Sequence, residues 1–319
     1  MSNPESHVLV TGGAGFIGSH VVEYLLNNNH KVTVVDNFDP YYAREIKEKN
    51  VSAFLAHPNV KFIELDICDE VALNEKLTDH YHGIIHLASK AGVRPSINNP
   101  VVYQQVNVSG TQNLLEFAKR KSITQFVFAS SSSVYGINKN VPWKESDGLL
   151  NPISPYASTK ISGELLGHVY SHLYGIRFLA LRFFTVFGPR QRPDLAIHAF
   201  SKKMLAKQSI DFFGDGNTKR DYTYIDDIVK GVYAALHYDQ SKYEIINLGN
   251  HHTVSLSEML KVIEEVFETS AIINQLPEQP GDVSLTYADI SKAQLLLNYN
   301  PETPFKTGVE KFKEWLTKG

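Results

Sequence analysis

The chain has 319 residues, of which 43% are hydrophobic and 20% charged, and its formal net charge is -3 at pH 7. This composition is typical of an ordinary soluble protein, and the length favours two lobes over one. The balance of charges excludes a broad basic surface for nucleic acid or for an anionic membrane, so an anionic ligand must be bound by a few placed donors.

The start of the chain and its cysteine content indicate the compartment. MSNPESHVLV lacks a basic segment followed by a long apolar run, and no apolar run reaches the ~18 residues of a membrane helix. We therefore expect no signal peptide and no membrane segment. The single cysteine, Cys68, cannot form an internal disulfide, which favours a reducing compartment, the cytoplasm. Because Cys68 follows a predicted strand, we expect it to be a buried residue without a catalytic role rather than a nucleophile.

Short β-branched runs alternate with helical patterns as far as Phe184. The predicted strands are HVLVTGG, KVTVVD, VKFIELD, GIIHLAS, QFVFASS and RFLALRFF. Between them, apolar residues recur at helical spacing in GFIGSHVVEYLLNNN, VNVSGTQNLLEFAKRK and YASTKISGELLGHVYSHLYG. This alternation predicts an α/β fold, a doubly wound parallel sheet of the Rossmann type, with ligands at the carboxyl ends of its strands.

The rhythm breaks after Phe184 into stretches rich in Pro, Gly and aromatic residues, FGPRQRPD and FFGDGNTKRDYTY. We expect residues 1–184 to form the Rossmann domain, rejoined by about 224–250. Residues 185–319 should form mainly a smaller, substrate-binding lobe.

A glycine motif, VLVTGGAGFIGSH, places Gly12, Gly15 and Gly18 between a strand and a helix. Glycines let the backbone approach a pyrophosphate, and the helix amino terminus offers N–H groups to hold it. Asp36 ends the next strand, where a carboxylate accepts hydrogen bonds from an adenosine ribose and repels a 2′-phosphate. The combination predicts NAD rather than NADP, although Arg44 nearby is a hint of a phosphate partner. A tight turn without a ligand is the weaker interpretation.

Tyrosine and lysine stand four residues apart in three places: Tyr135 and Lys139, Tyr156 and Lys160, Tyr238 and Lys242. Only Tyr156 follows a helix-start signature, NPISPYASTK. Residues four apart share a helix face, so the Lys160 ammonium would favour the ionised form of the Tyr156 phenol. Tyr156 is therefore a candidate base for a sugar hydroxyl. The structural alternative is an aromatic side chain that packs on the sheet.

Four consecutive serines follow a predicted strand in VFASSSSVYG. Such hydroxyls are poor strand material because they compete with the backbone for hydrogen bonds. They are either loop filler or face a ligand, and a hydroxyl donor here would complete the Tyr156 and Lys160 pair.

The chain resembles the extended short-chain dehydrogenase/reductase family in a series of segments that occur in the same order. They are TGGAGFIG, HLASKAGVR, SSSSVYG, YASTK, RDYTYIDD and QPGDVSLTYADISKAQLLL. The resemblance is to the family's nucleotide-sugar epimerase, decarboxylase and dehydratase branch. It implies NAD as cofactor, a UDP-sugar as substrate, no nucleic acid or membrane partner, and a homodimer formed by helices around 106–119 and 158–173.

The same resemblance implies roles for individual residues. Ser131, Tyr156 and Lys160 would be catalytic. The implied NAD contacts are Gly12, Gly15, Phe16, Ile17, Gly18, Asp36, Asn37, Asp66, Ile67, Leu87, Ala88, Lys90, Asn107, Tyr156 and Lys160. The implied substrate contacts are Arg94, Ser132, Ser133, Thr185, Arg192, Arg220 and Asp282. Lys90 stands where many relatives have an uncharged residue. The histidines show no metal-ligand spacing, so no metal is expected.

Members of this branch oxidise C4 of the sugar and form a 4-keto intermediate. Dehydratases carry Asp and Glu at the positions of Ser132 and Ser133, and uronic acid decarboxylases typically keep the Glu. This chain has neither carboxylate, which implies 4-epimerisation. Thr185 followed by RPDLA resembles the UDP-glucuronate 4-epimerases. Epimerases of UDP-glucose or UDP-N-acetylglucosamine, a UDP-glucuronate decarboxylase and a non-catalytic NAD-binding regulator remain alternatives.

Overall fold

Twelve strands and twelve α-helices occur in the computed structural model, which describes residues 6–148, 151–277 and 283–318. The strands are β1 (His7–Thr11), β2 (Lys31–Asp36), β3 (Val60–Glu64), β4 (Gly83–His86), β5 (Gln125–Ser131), β6 (Arg177–Phe183), β7 (Thr185–Phe187), β8 (Ser209–Phe213), β9 (Lys219–Tyr224), β10 (Tyr243–Leu248), β11 (Thr253–Ser255) and β12 (Ile272–Leu276). The helices are α1 (Phe16–Asn27), α2 (Arg44–Ser52), α3 (Glu70–Lys76), α4 (Val93–Asn98), α5 (Pro100–Gln104), α6 (Gly110–Arg120), α7 (Pro155–Tyr174), α8 (Ala196–Leu205), α9 (Ile225–Leu236), α10 (Leu256–Phe267), α11 (Ser291–Leu297) and α12 (Phe305–Lys318).

Seven strands form one parallel sheet in the order β10-β6-β5-β4-β1-β2-β3. The first six strands in the chain are those that the sequence predicts, and the doubly wound parallel sheet is confirmed. β10 pairs with β6 after the chain has left this sheet for about sixty residues. Since all seven strands run the same way, their carboxyl ends meet along one edge of the sheet.

Helices cover both faces of the sheet because alternate strand residues point to opposite sides. Val8 and Val10 of β1 belong to a core that includes α1 and α9. Leu9, between them, belongs to a second core that includes Leu114 and Phe117 of α6. The two cores explain why these strands are continuous hydrophobic runs. No helix in the described part of the chain is long and apolar enough to cross a membrane.

Helix α7 has defined signals at both ends. The Ser154 hydroxyl accepts a hydrogen bond from the backbone nitrogen of Ala157 at 3.1 Å, and Pro155 is the first helical residue. Gly175 ends the helix with φ of 68°, in the left-handed region. These signals fix the first turn of α7, and with it Tyr156, beside the end of β5.

The remaining strands form two small sheets, with orders β11-β9-β7 and β12-β8. Packed aromatic rings join this part of the molecule: the ring centroids of Phe187 and Phe305 are 5.0 Å apart, and those of Tyr222 and Phe305 are 5.2 Å apart. The three-stranded sheet is adjacent to the carboxyl edge of the main sheet, because β7 starts two residues after β6 ends.

A buried ion pair links α7 to β6. The Arg182 guanidinium donates to both carboxylate oxygens of Glu164 at 2.9 and 2.8 Å, and the two side chains are only 2% and 3% exposed. The Ser130 hydroxyl also donates to Glu164. Removing one charge from such a pair leaves the other charge buried without compensation.

We expect the substitution Glu164→Gln to lower the free energy of unfolding by about 3–5 kcal/mol, because Arg182 then remains charged and buried. Urea unfolding at pH 7 measures the effect. The matched control is Glu64→Gln, which breaks an exposed two-pronged pair with Arg44 and should leave the unfolding midpoint unchanged. Equal midpoints for the parent and Glu164→Gln would contradict the importance of the buried pair.

Candidate active site

A cavity of about 770 Å³ lies along the carboxyl edge of the main sheet. It is lined by the turn after β1, the end of β2, the loop after β4, the serines at the end of β5 and Thr185 after β6. It is also lined by Arg192, Asp194, Leu195 and Arg220. The fold therefore brings nearly all the predicted site residues around one cavity.

The glycine turn after β1 is packed so closely against neighbouring backbone that no side chain fits at two of its positions. Gly12 has φ of +74°, and a Cβ atom there would lie 2.6 Å from the Ala88 nitrogen. A Cβ atom at Gly18 would lie 2.1 Å from the Gly12 carbonyl oxygen. Gly15 immediately precedes α1, so the first N–H groups of that helix face the cavity without intrahelical acceptors. This cradle fits a pyrophosphate, as NAD requires.

Asp36 lies at the cavity wall where β2 ends. Its carboxylate accepts hydrogen bonds from the backbone nitrogens of Ala14 at 3.0 Å and Phe38 at 2.9 Å. Each carboxylate oxygen has a further lone pair, so the ribose hydroxyls of NAD can still be bound. Burial raises the pKa of Asp36, while the nearby Lys47 ammonium and the two N–H donors oppose that shift. Asp36 thus also fixes the glycine turn.

Arg44 does not reach this wall as a phosphate partner. Its guanidinium donates to both oxygens of Glu64 at 2.9 and 2.7 Å and to Glu48 at 2.7 Å. With its donors bound to two carboxylates, Arg44 offers little to a 2′-phosphate. The geometry therefore agrees with NAD as the preferred cofactor.

Other residues that were predicted to contact the cofactor also line the cavity. Asn37 donates to Asp66 at 2.9 Å, and Asp66 also accepts from the backbone nitrogen of Cys68 at 2.8 Å. The remaining predicted contacts that line the cavity are Phe16, Ile17, Ile67, Leu87, Ala88 and Lys90. Cys68 is half-buried, and burial raises the pKa of its thiol to about 12, which makes it a poor nucleophile.

Asn107 differs from its predicted position as a cofactor contact. Its side chain is 2% exposed and does not line the cavity. Its amide oxygen accepts from the Lys90 nitrogen at 2.7 Å, and its amide nitrogen donates to the Lys90 carbonyl oxygen and to Thr159. Both N–H donors are therefore used within the protein. Asn107 lies in a π-helical turn (Gln105–Ser109) ahead of α6 and holds the loop after β4 in place.

Lys90 lines the cavity and forms an ion pair with Asp39. Its ammonium lies 2.6 Å from one carboxylate oxygen of Asp39 and 2.8 Å from the other. Asp39 belongs to the loop between β2 and α2, so the pair joins two loops that line the cofactor side of the cavity.

Ser131, Tyr156 and Lys160 come together at the centre of the cavity. The Lys160 ammonium lies 5.7 Å from the centroid of the Tyr156 ring and donates to the Ala129 carbonyl oxygen at 2.7 Å. Burial lowers the pKa of Lys160 to about 7, against the opposing effect of the Glu164 carboxylate. Burial raises the pKa of Tyr156, while the Ser131 hydroxyl and the Arg192 charge lower it. Without ligands, the pair is thus shifted toward its neutral forms.

Ser131 is oriented by its neighbour in the serine run. Its hydroxyl oxygen accepts from the backbone nitrogen of Ser133 at 3.2 Å and is 3.0 Å from the Ser133 hydroxyl oxygen. Ser131 thereby caps a short 3₁₀ turn (Ser132–Tyr135), which directs residues 131–133 to the cavity. The serine run is part of the site rather than loop filler.

The other tyrosines with a lysine four residues on lie outside the cavity. Tyr135 is fully buried and donates to Asn247 at 2.7 Å. Tyr238 is also buried and donates to Ser241 at 3.1 Å. Among the three pairs, only Tyr156 and Lys160 line the cavity.

The predicted substrate residues come from several elements around the cavity. Arg94, Ser132, Ser133, Thr185, Arg192 and Arg220 all line it. Asp282 lies outside the described residues. Arg190, by contrast, pairs with Glu23 of α1 at 2.8 Å and does not line the cavity. The basic cluster RQRP is therefore divided: one arginine faces the ligand space and the other packs against a helix.

Sequence reasoning missed Tyr41, Tyr42 and Asp194, which line the same cavity. The two tyrosines lie between β2 and α2, in the segment NFDPYY that follows Asp36. A pair of aromatic residues in a loop at the carboxyl end of a strand is a signal that could have identified them. Within residues 6–148, 151–277 and 283–318, no group of three or more His, Cys, Asp or Glu could hold a metal ion.

The chain is similar to several UDP-glucuronate 4-epimerases. UDP-glucuronate 4-epimerase of Thermodesulfobacterium geofontis is 40% identical over 97% of this chain and 95% of its own length. A crystal structure of Bacillus cereus UDP-glucuronic acid 4-epimerase with UDP-glucuronic acid and NAD has a TM-score of 0.92 and 38% identity, and covers 98% of this chain and 99% of that one.

A neighbour with another substrate is also similar. UDP-N-acetylglucosamine 4-epimerase from Methanobrevibacter ruminantium, in complex with UDP-N-acetylmuramic acid, has a TM-score of 0.91 and 32% identity, with 99% of both chains covered. The model of the NAD dependent epimerase/dehydratase family matches residues 8–249. This match spans the glycine turn, Asp36, the serine run and the Tyr156 and Lys160 pair, and the chain belongs to the NAD dependent epimerase/dehydratase family.

Proposed function

We propose that the protein is a UDP-glucuronate 4-epimerase, which interconverts UDP-glucuronate and UDP-galacturonate with NAD held as a cofactor. The observation that carries this proposal is the makeup of one wall: the neutral hydroxyls of Ser132, Ser133 and Thr185 line the same cavity as Tyr156 and Arg192. Relatives of the same length that carry this activity support it.

Tyr156 is the base for the 4-hydroxyl of the sugar. NAD, when bound, accepts hydride from C4 and later returns it to the same carbon. The Tyr156 phenolate takes the hydroxyl proton in the first step, the resulting phenol donates it back in the second, and Ser131 donates a hydrogen bond to the sugar oxygen. Lys160, when protonated, stabilises the phenolate, and so does the positive charge of the oxidised nicotinamide.

The neutral hydroxyls determine the fate of the 4-keto sugar. Neither Ser132 nor Ser133 can act as the acid or base that eliminates water, so the ketone turns over and receives hydrogen on its other face. A 4-keto uronic acid is a β-keto acid, which readily loses carbon dioxide. Ser132 and Thr185 hold the carboxylate with its breaking bond poorly aligned with the carbonyl π system. Each hydrogen bond to a charged group contributes about 1.5–3 kcal/mol.

The two parts of the chain would bind different ligands. Residues 1–184 and about 224–250 would bind NAD, since β10 lies beside β6 and α9 packs on α1. Most of the other residues from 185 onward would bind the UDP-sugar. Arg220 lines the cavity, where a guanidinium suits the diphosphate oxygens. Limited proteolysis with and without UDP tests this division, because UDP should protect sites in the second group only.

Helix α7, which covers the predicted contact helix at 158–173, and the neighbouring α5 present an apolar stripe for a second copy of the chain, whereas no large exposed apolar side chain lies among the described residues 106–119. Leu165, Val169 and Leu173 recur every four residues on α7 and are 59%, 46% and 60% exposed, and Val101 of α5 is 77% exposed. Apolar side chains at this spacing lie along one helix face. A homodimer would bury this stripe.

The purified protein should convert UDP-glucuronate to UDP-galacturonate without added NAD, and reduced NAD should not accumulate with product, because each cycle returns the hydride. Chromatography of the products and absorbance of reduced nicotinamide measure the two results. UDP-glucose and UDP-N-acetylglucosamine serve as competing substrates. A preference for either one, or a stoichiometric rise in reduced NAD, would refute the proposed reaction.

The variant Tyr156→Phe should lose conversion while it keeps NAD, because only the ionisable hydroxyl is removed. Tyr238→Phe is the control and should remain active, since its hydroxyl contacts Ser241 outside the cavity.

In the same assay, Thr185→Ala should raise the share of UDP-4-keto-pentose, which mass spectrometry detects. An unchanged share would place the carboxylate elsewhere.

The buried Lys160 predicts a pH dependence of stability in the NAD-free protein. Its pKa falls from an ordinary 10.5 to about 7 in the folded chain. Between these values the unfolded chain binds more protons, so stability rises with pH. Below pH 7 both states are protonated and this slope ends.

We expect the free energy of unfolding of the parent, relative to Lys160→Met, to rise by up to about 1.4 kcal/mol per pH unit between pH 7 and 9. Urea unfolding at each pH measures this difference. Tyr156→Phe should keep the slope of the parent, because a tyrosine phenol ordinarily titrates at about pH 10 and burial raises the pKa of Tyr156 further. A constant difference between parent and Lys160→Met would show that Lys160 stays charged in the folded state.

Light scattering at micromolar concentration should give the mass of a dimer. Leu165→Glu combined with Leu173→Glu should give a monomer, because two carboxylates would be buried at the contact. Leu205→Glu, an exposed leucine at the end of α8, is the control and should remain dimeric. A monomeric parent would reject the proposed assembly.

A further inference from the structure

The guanidinium of Arg192 is held on two sides. Its Nε and one terminal nitrogen donate to the two carboxylate oxygens of Asp194 at 3.0 and 2.9 Å. Its central carbon lies 5.3 Å from the centroid of the Tyr41 ring, and the Tyr41 hydroxyl donates to Asp194 at 3.3 Å. The second terminal nitrogen of Arg192 has no acceptor among the described residues. The side chain is therefore oriented, and one nitrogen remains for a ligand in the cavity.

This arrangement is built into a short turn. Pro193 separates the two charged residues and fixes the backbone between them, and the Leu195 nitrogen donates to the Arg192 carbonyl oxygen at 3.2 Å. The side chains of Arg192 and Asp194 are 18% and 40% exposed. The ion pair between them sets the direction of the Arg192 side chain.

Tyr41 connects this turn to the cofactor side of the cavity. It lies in the loop between β2 and α2, where its backbone nitrogen donates to Asp39 at 3.0 Å. Asp39 in turn pairs with Lys90 from the loop after β4. Arg192 is thus placed by a chain of contacts that begins at the NAD side of the cavity.

We propose that Asp194 is a positioning residue that sets the preference for an acidic sugar. It orients Arg192 so that the remaining terminal nitrogen binds the carboxylate of the substrate, and this inference rests on the proposed function. An arginine that is already ordered loses less side-chain entropy when the ligand binds. A neutral sugar makes no such contact and gains nothing from Asp194.

The test compares an acidic and a neutral ligand in the NAD-loaded protein. Asp194→Ala should raise the KM for UDP-glucuronate by roughly 3- to 10-fold and leave kcat within about 2-fold, because ordering one long side chain has this effect on affinity. The inhibition constant of UDP-glucose should stay unchanged. Asp239→Ala, which removes an exposed carboxylate after α9, is the matched control and should behave as the parent.

A second comparison shows whether Asp194 acts through Arg192. In an Arg192→Lys background, Asp194→Ala should cause no further rise in KM, because the two-pronged pair is already lost. A further rise of the same size would overturn the inference.

Two other outcomes would also overturn it. A lower KM for UDP-glucuronate in Asp194→Ala would mean that Asp194 competes with the substrate for Arg192. Equal weakening of UDP-glucuronate and UDP-glucose would indicate a general structural role. If the parent protein itself binds the two sugars equally and does not convert UDP-glucuronate, the proposed function fails, and the inference fails with it. The parent and the variant therefore distinguish the two failures.

Discussion

The site depends on the parallel direction of the seven central strands. Because every strand ends at the same edge, residues as far apart in sequence as Gly12, Asp36, Ser131 and Thr185 meet around one cavity. An antiparallel neighbour would move its terminal residues to the other edge. β10 extends the same arrangement, and its Asn247 holds Tyr135 below the serine run. The candidate active site thus depends on the parallel pairing of the strands, which brings their carboxyl ends together.

Burial of charge is the second constraint, and it acts against stability. Lys160 is 3% exposed, and its pKa is lowered to about 7 because the ammonium has lost its water. Glu164, four residues further along α7, is neutralised by Arg182 in two hydrogen bonds. The Glu164 carboxylate therefore opposes the desolvation of Lys160 without being an isolated charge itself. The nearby Glu164 carboxylate thus favours the charged form of Lys160, and Arg182 balances the charge of Glu164.

The sequence was sufficient for features that depend on local pattern. Six strands, the glycine turn and the start of α7 follow from β-branched runs, glycine spacing and the Ser154 and Pro155 signals. β10 was harder to predict as a sheet strand, since its partner β6 is distant and only tertiary packing brings the two together. Propensity also carries no information about which parallel strand lies next to which.

Side-chain partners were the least predictable part of the site. Asn107 was expected to contact NAD, but the hydrogen bonds of its side chain go to Lys90 and Thr159. Arg190 and Arg192 stand two residues apart with similar surroundings in the sequence, yet Arg190 pairs with Glu23 on a helix 167 residues away. The direction of a long side chain depends on neighbours from other elements. Composition and spacing do not contain those neighbours.

The neutral hydroxyls and the single oriented arginine together define how an acid can be handled during epimerisation. The sugar must rotate while its ketone is exposed, so the carboxylate needs partners that tolerate two orientations. Hydroxyl groups rotate about one bond and can donate in either orientation. A rigid guanidinium cannot follow, but Asp194 leaves only one of its terminal nitrogens to the ligand. Under the proposed function, a site with one oriented arginine donor and several rotatable hydroxyls would bind the carboxylate in both states without trapping either.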